Sequence, residues 1–205
     1  MNHRSFARLA AKKPPAIVLQ ASYANGLGVI RNLARAHVPV LAVDPNPRAL
    51  GFASRHAICS VCPDPSQDEP GFIEYLETLG HSLPQRAVVF PTHDEYIWPV
   101  SRHVDRLRRW YRIPFPDWSI MKRLFDKEEQ LRAAWRAGVD TPLTAFIRSS
   151  ADLEEGAAAI PFPAIFKPVE SLAFKSRFKR PVVIVESRDE LAATYERCAD
   201  CGVLM

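Results

Sequence analysis

Apolar runs with no polar face constrain this chain most. Ala16-Ile17-Val18-Leu19 offers water nothing to bind. A strand made of it must be covered on both faces, and such strands belong to parallel sheets with helical crossovers. Val29, Ile30, Leu33 and Ala34 then recur at helical spacing, beyond a turn at Asn25-Gly26-Leu27-Gly28. The alternation continues. Val38 to Asp44 is a second strand, stopped by Pro45-Asn46-Pro47, and Ala57 to Val61 is a third. Gly71 to Leu79 is helical, with Phe72, Tyr75, Leu76 and Leu79 on one face, and Ala87 to Pro91 is a fourth strand. Strands alternating with helices specify a right-handed, parallel α/β sheet.

The pattern changes around Ile113-Pro114-Phe115-Pro116. A basic helix is expected from Trp118 to Ala137, ended by Gly138, then a strand over Thr141 to Phe146. Ser150 to Glu154 opens a short helix. Strands follow at Ala164 to Lys167 and Pro181 to Val185. Ser187-Arg188-Asp189-Glu190 has the form of a capping box before a helix over Leu191 to Cys198. The expected organisation is a flexible tail over 1–15, an α/β domain over 16–115, and a smaller α+β domain over 116–205.

With 47% hydrophobic and 24% charged residues, the chain can bury a core. No apolar run is long enough to cross a bilayer, so no membrane partner is expected. Met1 to Pro15 is basic, lacks any acid and lacks the apolar stretch of a secretory signal. The net charge of +4 raises nucleic-acid binding, with Arg102 to Arg112 as the phosphate stripe. A helix with Val104 and Leu107 inward and its arginines in water is the favoured reading, and no nucleic-acid partner is expected. The four cysteines form two CxxC pairs, Cys59/Cys62 and Cys198/Cys201, spaced too far apart for a zinc ribbon. Reduced thiols in a cytoplasmic protein are expected.

Several residues could carry chemistry. Gly26-Leu27-Gly28-Val29-Ile30-Arg31 partly matches a dinucleotide fingerprint, with Arg31 replacing its third glycine; Asp44 sits where a ribose-binding acid would. A tight turn and a strand-ending aspartate are favoured over NAD. Ser54-Arg55, between the second and third strands, is placed at the sheet's ligand-binding edge. There Arg55 either clamps a carboxylate or pairs with Asp44. Thr92, His93, Asp94 and Glu95 follow the fourth strand as either an acid/base group or a polar helix start, the latter favoured. Lys127 follows Asp126, and Lys167 closes the run Phe162-Pro163-Ala164-Ile165-Phe166. Two lysines reaching one site from separate elements suit a polyphosphate.

The order of these motifs resembles the ATP-grasp superfamily, in particular its carboxylate–amine ligase-like branch. The matching pieces are Gly26 to Arg31, Pro39 to Pro47, Ser54-Arg55, Phe90 to Glu95, Phe125-Asp126-Lys127, Gly138 to Thr144 and Phe162 to Pro168. The resemblance implies a Rossmann-like, parallel-sheet pre-ATP-grasp domain followed by part of an α+β ATP-grasp lobe. It implies that Lys127 and Lys167 contact ATP phosphates, and that Gly26, Gly28, Ser54, Arg55, Asp94 and Glu95 are substrate-binding candidates. The reaction implied uses ATP and Mg²⁺ to convert a carboxylate to an acyl phosphate, which an amine attacks. The family's adenine-reading hinge and magnesium ligands would lie after Met205. The 205 residues are therefore expected to be an incomplete, inactive portion, acting as a homo-oligomer or with a complementing C-terminal fragment. No catalytic residue and no metal ligand is assigned within the chain. Glu170 to Arg180, where the family often has a glycine-rich loop, has no glycine; Lys175, Arg177, Lys179 and Arg180 either supply charge or form a solvated basic loop. A non-catalytic Rossmann-like module binding a nucleotide or small molecule is the alternative.

Overall fold

β1 (Ala16–Leu19) is buried along its whole length, as a strand without a polar face must be. The computed structural model describes residues 1–168, 182–197 and 203–204. They divide into two compact units, Met1–Lys122 and Arg123–Met205.

In the first unit, β1 lies at the centre of a five-stranded sheet with β2 (Val40–Asp44), β3 (Ala57–Val61), β4 (Ala87–Pro91) and β5 (Tyr111–Arg112). The order is β3-β2-β1-β4-β5 and every pair is parallel. Side chains alternate between faces with period two. Ile17 and Leu19 enter one core with Phe72 and Leu76 of α3 (Glu69–Ser82), whereas Val18 enters another with Ile30 of α2 (Ala24–Arg35). The chain reverses its winding between β1 and β4. That switch point opens the crevice at the carboxyl edge where ligands of such sheets bind.

Residues 3–10, expected within a flexible tail, form helix α1 (His3–Ala10), capped by Asn2, whose Oδ1 accepts from Ser5 N at 2.9 Å. Phe6 and Ala10, one turn apart, are buried in the core beside Ile58, and that burial overrides the basic composition. Asn25-Gly26-Leu27-Gly28, expected as a turn, is the opening of α2, whose N-cap is Tyr23. The basic stretch is shared out. Arg102 ends α4 (Asp94–Arg102), α5 is Val104–Leu107, and Tyr111–Arg112 is β5. Val104 and Leu107 are buried as read. Arg102 pairs with Glu69, Arg106 with Glu77 at 2.7 Å, and Arg108 with Asp105 at 3.5 Å, so these three charges are already matched within the unit.

The expected boundary at 115/116 falls instead at 122/123. Trp118, which opens α6 (Trp118–Phe125), lies 6.3 Å from the ring of Trp98 and beneath the Arg102 guanidinium at 5.2 Å. These contacts keep the start of α6 with the first unit. The single helix expected over Trp118 to Ala137 breaks at Asp126, whose carboxylate accepts from Glu128 N and Glu129 N at 2.9 and 3.0 Å and starts α7 (Lys127–Arg136).

In the second unit, α7 ends in a glycine cap. Gly138 has φ +68°, with Val139 N bonded to Ala134 O and Gly138 N to Trp135 O. The strand expected over Thr141 to Phe146 shrinks to β6 (Phe146–Ile147). Pro142 has no donor for a ladder, and Thr141 Oγ1 is taken by the indole of Trp135 at 2.6 Å. β6, β7 (Ala164–Pro168), β8 (Val183–Val185) and β9 (Val203–Leu204) form an antiparallel sheet of order β6-β9-β7-β8. Its covered face buries Ala164, Phe166 and Val185 against Leu153 of α8 (Ser150–Ala159) and Leu191 of α9 (Arg188–Glu196). Ser149 caps α8, accepting from Asp152 N. Ser187 Oγ accepts from Glu190 N at the start of α9, and Glu190 reaches back to accept from Glu186 N, one residue before the donor of a standard capping box. The basic loop over 170–180 and the Cys198/Cys201 pair lie outside the described residues.

Candidate functional site

In the second unit, β7 presents alternate residues to opposite sides. Ala164 and Phe166 are buried, whereas Ile165 and Lys167 are exposed on the other face, with Ile165 paired in register to exposed Ile184. That open face borders a cavity of about 540 Å³. Lys167 and Lys127 both line it, with Leu131 and Gln130 of α7, Leu143 and Thr144 of the following loop, and Ile165. Volumes of about 300–1,000 Å³, mostly apolar walls and a few placed polar groups characterise small-molecule sites.

Lys127 occupies the first position of α7. A cation there opposes the helix dipole, whose positive end lies at the N-terminus. Asp126, Glu128 and Glu129 surround it in sequence and offset that cost. Glu128 in turn is gripped by Arg148 and, at 2.7 Å, by Arg132. Their hydrogen bonds, Arg148's first, hold its carboxyl below the usual carboxylate range. Gln130 and Leu131 were not singled out from sequence, and Leu143 and Thr144 only as the end of the Gly138–Thr144 motif; only folding brings α7, the 142–144 loop and β7 together.

In the first unit, Asp44 is 1% exposed at the carboxyl end of β2. Its carboxylate accepts from Ala21 N at 2.7 Å, Ser22 N at 2.8 Å, Ser22 Oγ at 2.9 Å and Asn46 N at 2.8 Å. With its oxygens so engaged, Asp44 organises the β1–α2 loop and has no role as a ribose acid in this conformation. Gly26 follows that loop directly. A Cβ on it would stand 2.5 Å from Gln20 O, whereas one on Gly28 would meet nothing within 4 Å. Close backbone approach therefore explains Gly26 but not Gly28.

Ser54 and Arg55 are misplaced by the sequence reading. The β2–β3 register sets Ala57 beside Val40, so residues just before Ala57 lie at the amino edge, opposite the switch-point crevice. The β2–β3 crossover carries only a 3-10 turn, Leu50–Ala53, and has returned to that edge by Arg55. The carbonyl of Arg55 accepts from the amino terminus, and Asp44, at the far end of β2, is saturated. The pairing of Arg55 with Asp44 is therefore not made.

Asp94 and Glu95 do lie at the carboxyl edge, exposed in the first turn of α4. The capping expected of Thr92 and its neighbours is absent, because His93 is the N-cap and makes no side-chain cap bond. Thr92 Oγ1 instead donates to Gln20 O at 2.7 Å, and Asn25 Nδ2 donates to Thr92 O at 2.7 Å. These bonds tie the loops after β1 and β4 together. His93 stacks on Tyr23 at 6.2 Å across the crevice and has Glu95 at 3.8 Å. Gln20, in the left-handed region at φ +69°, completes the floor.

Cys59 is exposed and Cys62 is buried, on opposite sides of β3's end. Burial, and secondarily the charge of Asp44, pushes the Cys62 thiol up to about 12. Among the described residues, no cluster of three or more His, Cys, Asp or Glu side chains could hold a metal ion. No described helix is long and apolar enough to cross a membrane.

No protein-family model and no curated protein matches the chain. Solved structures do. The N5-carboxyaminoimidazole ribonucleotide synthetase of Thermus thermophilus superposes with TM-score 0.64 at 16% identity, over 92% of this chain and 45% of its own. An L-amino acid ligase from Bacillus licheniformis gives 0.64 at 18%, over 94% and 43%. The biotin carboxylase domain of the Hydrogenobacter thermophilus 2-oxoglutarate carboxylase, solved with MgADP, ADP and bicarbonate, gives 0.59 at 16%, over 92% and 43%. The chain thus spans under half the length of these enzymes. Its fold is the one these enzymes have over their N-terminal part, a parallel α/β domain followed by an α+β lobe, as the order of motifs implied.

Proposed function

We propose that this chain forms the nucleotide-holding portion of an ATP-dependent ligase that joins a carboxylate to an amine. Support comes from the fold it shares with ligases and a carboxylase, and above all from one observation. Lys127 and Lys167, forty residues apart in sequence, line the same mostly apolar cavity of the second unit. In this reading both lysines neutralise the phosphate chain, and Leu131 and Ile165 pack against the base. Phosphate transfer turns a carboxylate oxygen into a leaving group, and fixed cations that match the developing charge are the protein's contribution to that step. Magnesium is proposed to accompany the nucleotide, as in the MgADP complex of the similar biotin carboxylase domain. The switch-point crevice, with Asp94, Glu95, His93 and Tyr23 at its rim, is the place proposed for the acid or amine substrate; Gly26 shapes its loop.

The test is calorimetric titration of the chain with ATP and AMP. ATP is expected to bind more tightly than AMP. Lys167→Ala should weaken ATP by about 10- to 100-fold, from the loss of about 1.5–3 kcal/mol per charged hydrogen bond, while barely changing AMP. Equal affinities for ATP and AMP, unaltered in Lys127→Ala and Lys167→Ala, would overturn the proposal.

A further inference from the structure

Helix α7 has no buried residue, although it carries Lys127 into the cavity. A helix with no apolar face in a core is held by whatever else it touches. Here those contacts are few. At its first turn, Glu128 is clamped by Arg148, the residue directly after β6, whose Nη2 donates to both carboxylate oxygens. Arg132, one turn further on, donates to the same carboxylate through Nε at 2.9 Å and lies 5.1 Å over the ring of Phe146 in β6. Trp135 meets Phe146 edge-on at 5.8 Å. The aromatic contacts fix the middle and end of the helix. Among the described contacts, the Glu128–Arg148 pair joins the first turn, where Lys127 sits, directly to the residue after β6, while Arg132 bridges Glu128 to Phe146 and Arg123 meets Glu129 of the same turn at 3.4 Å.

We propose that Arg148 is a positioning residue for the nucleotide: through Glu128 it holds the first turn of α7 so that Lys127 stays over the phosphate subsite. This rests on the reading of the cavity as a nucleotide site. Arg148 itself is not among the residues lining that cavity, so its effect must pass through Lys127. Its side chain is 66% exposed, and an exposed pair adds little to overall stability. Removing it should therefore disturb binding more than folding.

The experiment is a set of double-mutant cycles on the 205-residue chain, read as the ATP dissociation constant, with thermal unfolding alongside. Arg148→Met and Glu128→Gln are each expected to weaken ATP binding by roughly fivefold, the equivalent of one exposed ion pair, and to leave AMP binding unchanged. In a Lys127→Ala background, Arg148→Met should have no further effect. In a Lys167→Ala background, it should keep its full effect. A purely structural role would add equally in both backgrounds and would lower AMP and ATP affinity together. If Lys127→Ala weakens ATP but Arg148→Met does nothing, or adds to it in full, the positioning role is wrong and the nucleotide site stands. If neither lysine matters to ATP, the nucleotide site itself is wrong, and the role of Arg148 falls with it.

Discussion

Replacing Asp44 separates a structural carboxylate from a ligand-binding one. Asp44→Ala removes the acceptor for two loop amides, Ala21 N and Ser22 N, and for Asn46 N and the Ser22 hydroxyl. A hydrogen bond to a charged group contributes about 1.5–3 kcal/mol, and a buried donor left unmatched costs about 1–3 kcal/mol. Ser22 and Asn46 are partly exposed and can turn to water; the Ala21 amide, in a buried setting, cannot. A loss of about 3–5 kcal/mol is expected, a large part of a typical domain's stability. Asp44→Asn keeps one carbonyl oxygen for Ala21 N and Ser22 N, and the Ser22 hydroxyl can rotate to accept. Only Asn46 N then faces a donor, so the expected loss is about 1–2 kcal/mol. Urea unfolding followed by tryptophan fluorescence is the assay, since Trp98, Trp110 and Trp118 all report on the first unit. The midpoint should fall with an unchanged slope. Two variants within about 0.5 kcal/mol of the parent, with the threshold set at the usual size of surface substitutions, would refute the reasoning. So would an Asn variant as damaged as the Ala one.

Three further outcomes can be checked. Gly28→Ala should stabilise the first unit by about 0.5–1 kcal/mol, the helix preference of alanine over glycine, whereas Gly26→Ala, facing Gln20 O at 2.5 Å, should destabilise it; equal effects in thermal melts would contradict the close approach. Glu128 has its folded pKa below the unfolded value, so the stabilisation from its arginine pairs is complete above the ordinary carboxylate range and is lost as pH falls through the folded value. The pH dependence of stability contributed by Glu128, measured as parent minus Glu128→Gln, should be flat from neutrality down to about pH 5 and decline below that; a decline that begins near neutrality would contradict it. Iodoacetamide at mild alkaline pH should modify Cys59 well before Cys62, whose thiol is buried and raised to about 12, as read by peptide mapping; equal rates would place Cys62 at the surface.

Much of the fold was legible because each strand's limits are written locally. β3 and β4 run from Ala57 to Val61 and from Ala87 to Pro91 as read. Each run is apolar at its start and gives way to turn residues. What escaped was set by tertiary contact. Gly26 and Gly28 look like a turn, yet only the nearness of Gln20 O shows that Gly26 opens a helix. Phe6 and Ala10 carried the signal for α1 at helical spacing, masked by the arginines and lysines around them. Asp126 was a readable N-cap, but apolar periodicity runs through it. The side of the sheet taken by Arg55 depends on a crossover without a full helix, and no local pattern marks that. The shared cavity of Lys127 and Lys167 was suggested by each lysine's neighbours, Asp126 and the apolar run 162–166, and by the order of motifs, while the residues that close it come from elsewhere in the chain. Arg148 belongs to no motif and meets Glu128 across twenty positions of sequence, so nothing local marks it.

The most direct test of a common phosphate subsite is affinity labelling with an adenosine polyphosphate that carries a pyridoxal group at its phosphate end. The aldehyde forms a Schiff base with a nearby lysine, and borohydride makes the bond permanent for peptide mapping. Label is expected on Lys127 and Lys167, suppressed by ATP at concentrations where the weaker AMP protects far less, with Lys12, Lys13 and Lys122 of the first unit unaffected by either nucleotide. Label that spreads over all lysines without ATP protection, or ATP-protected label confined to the first unit, would contradict it.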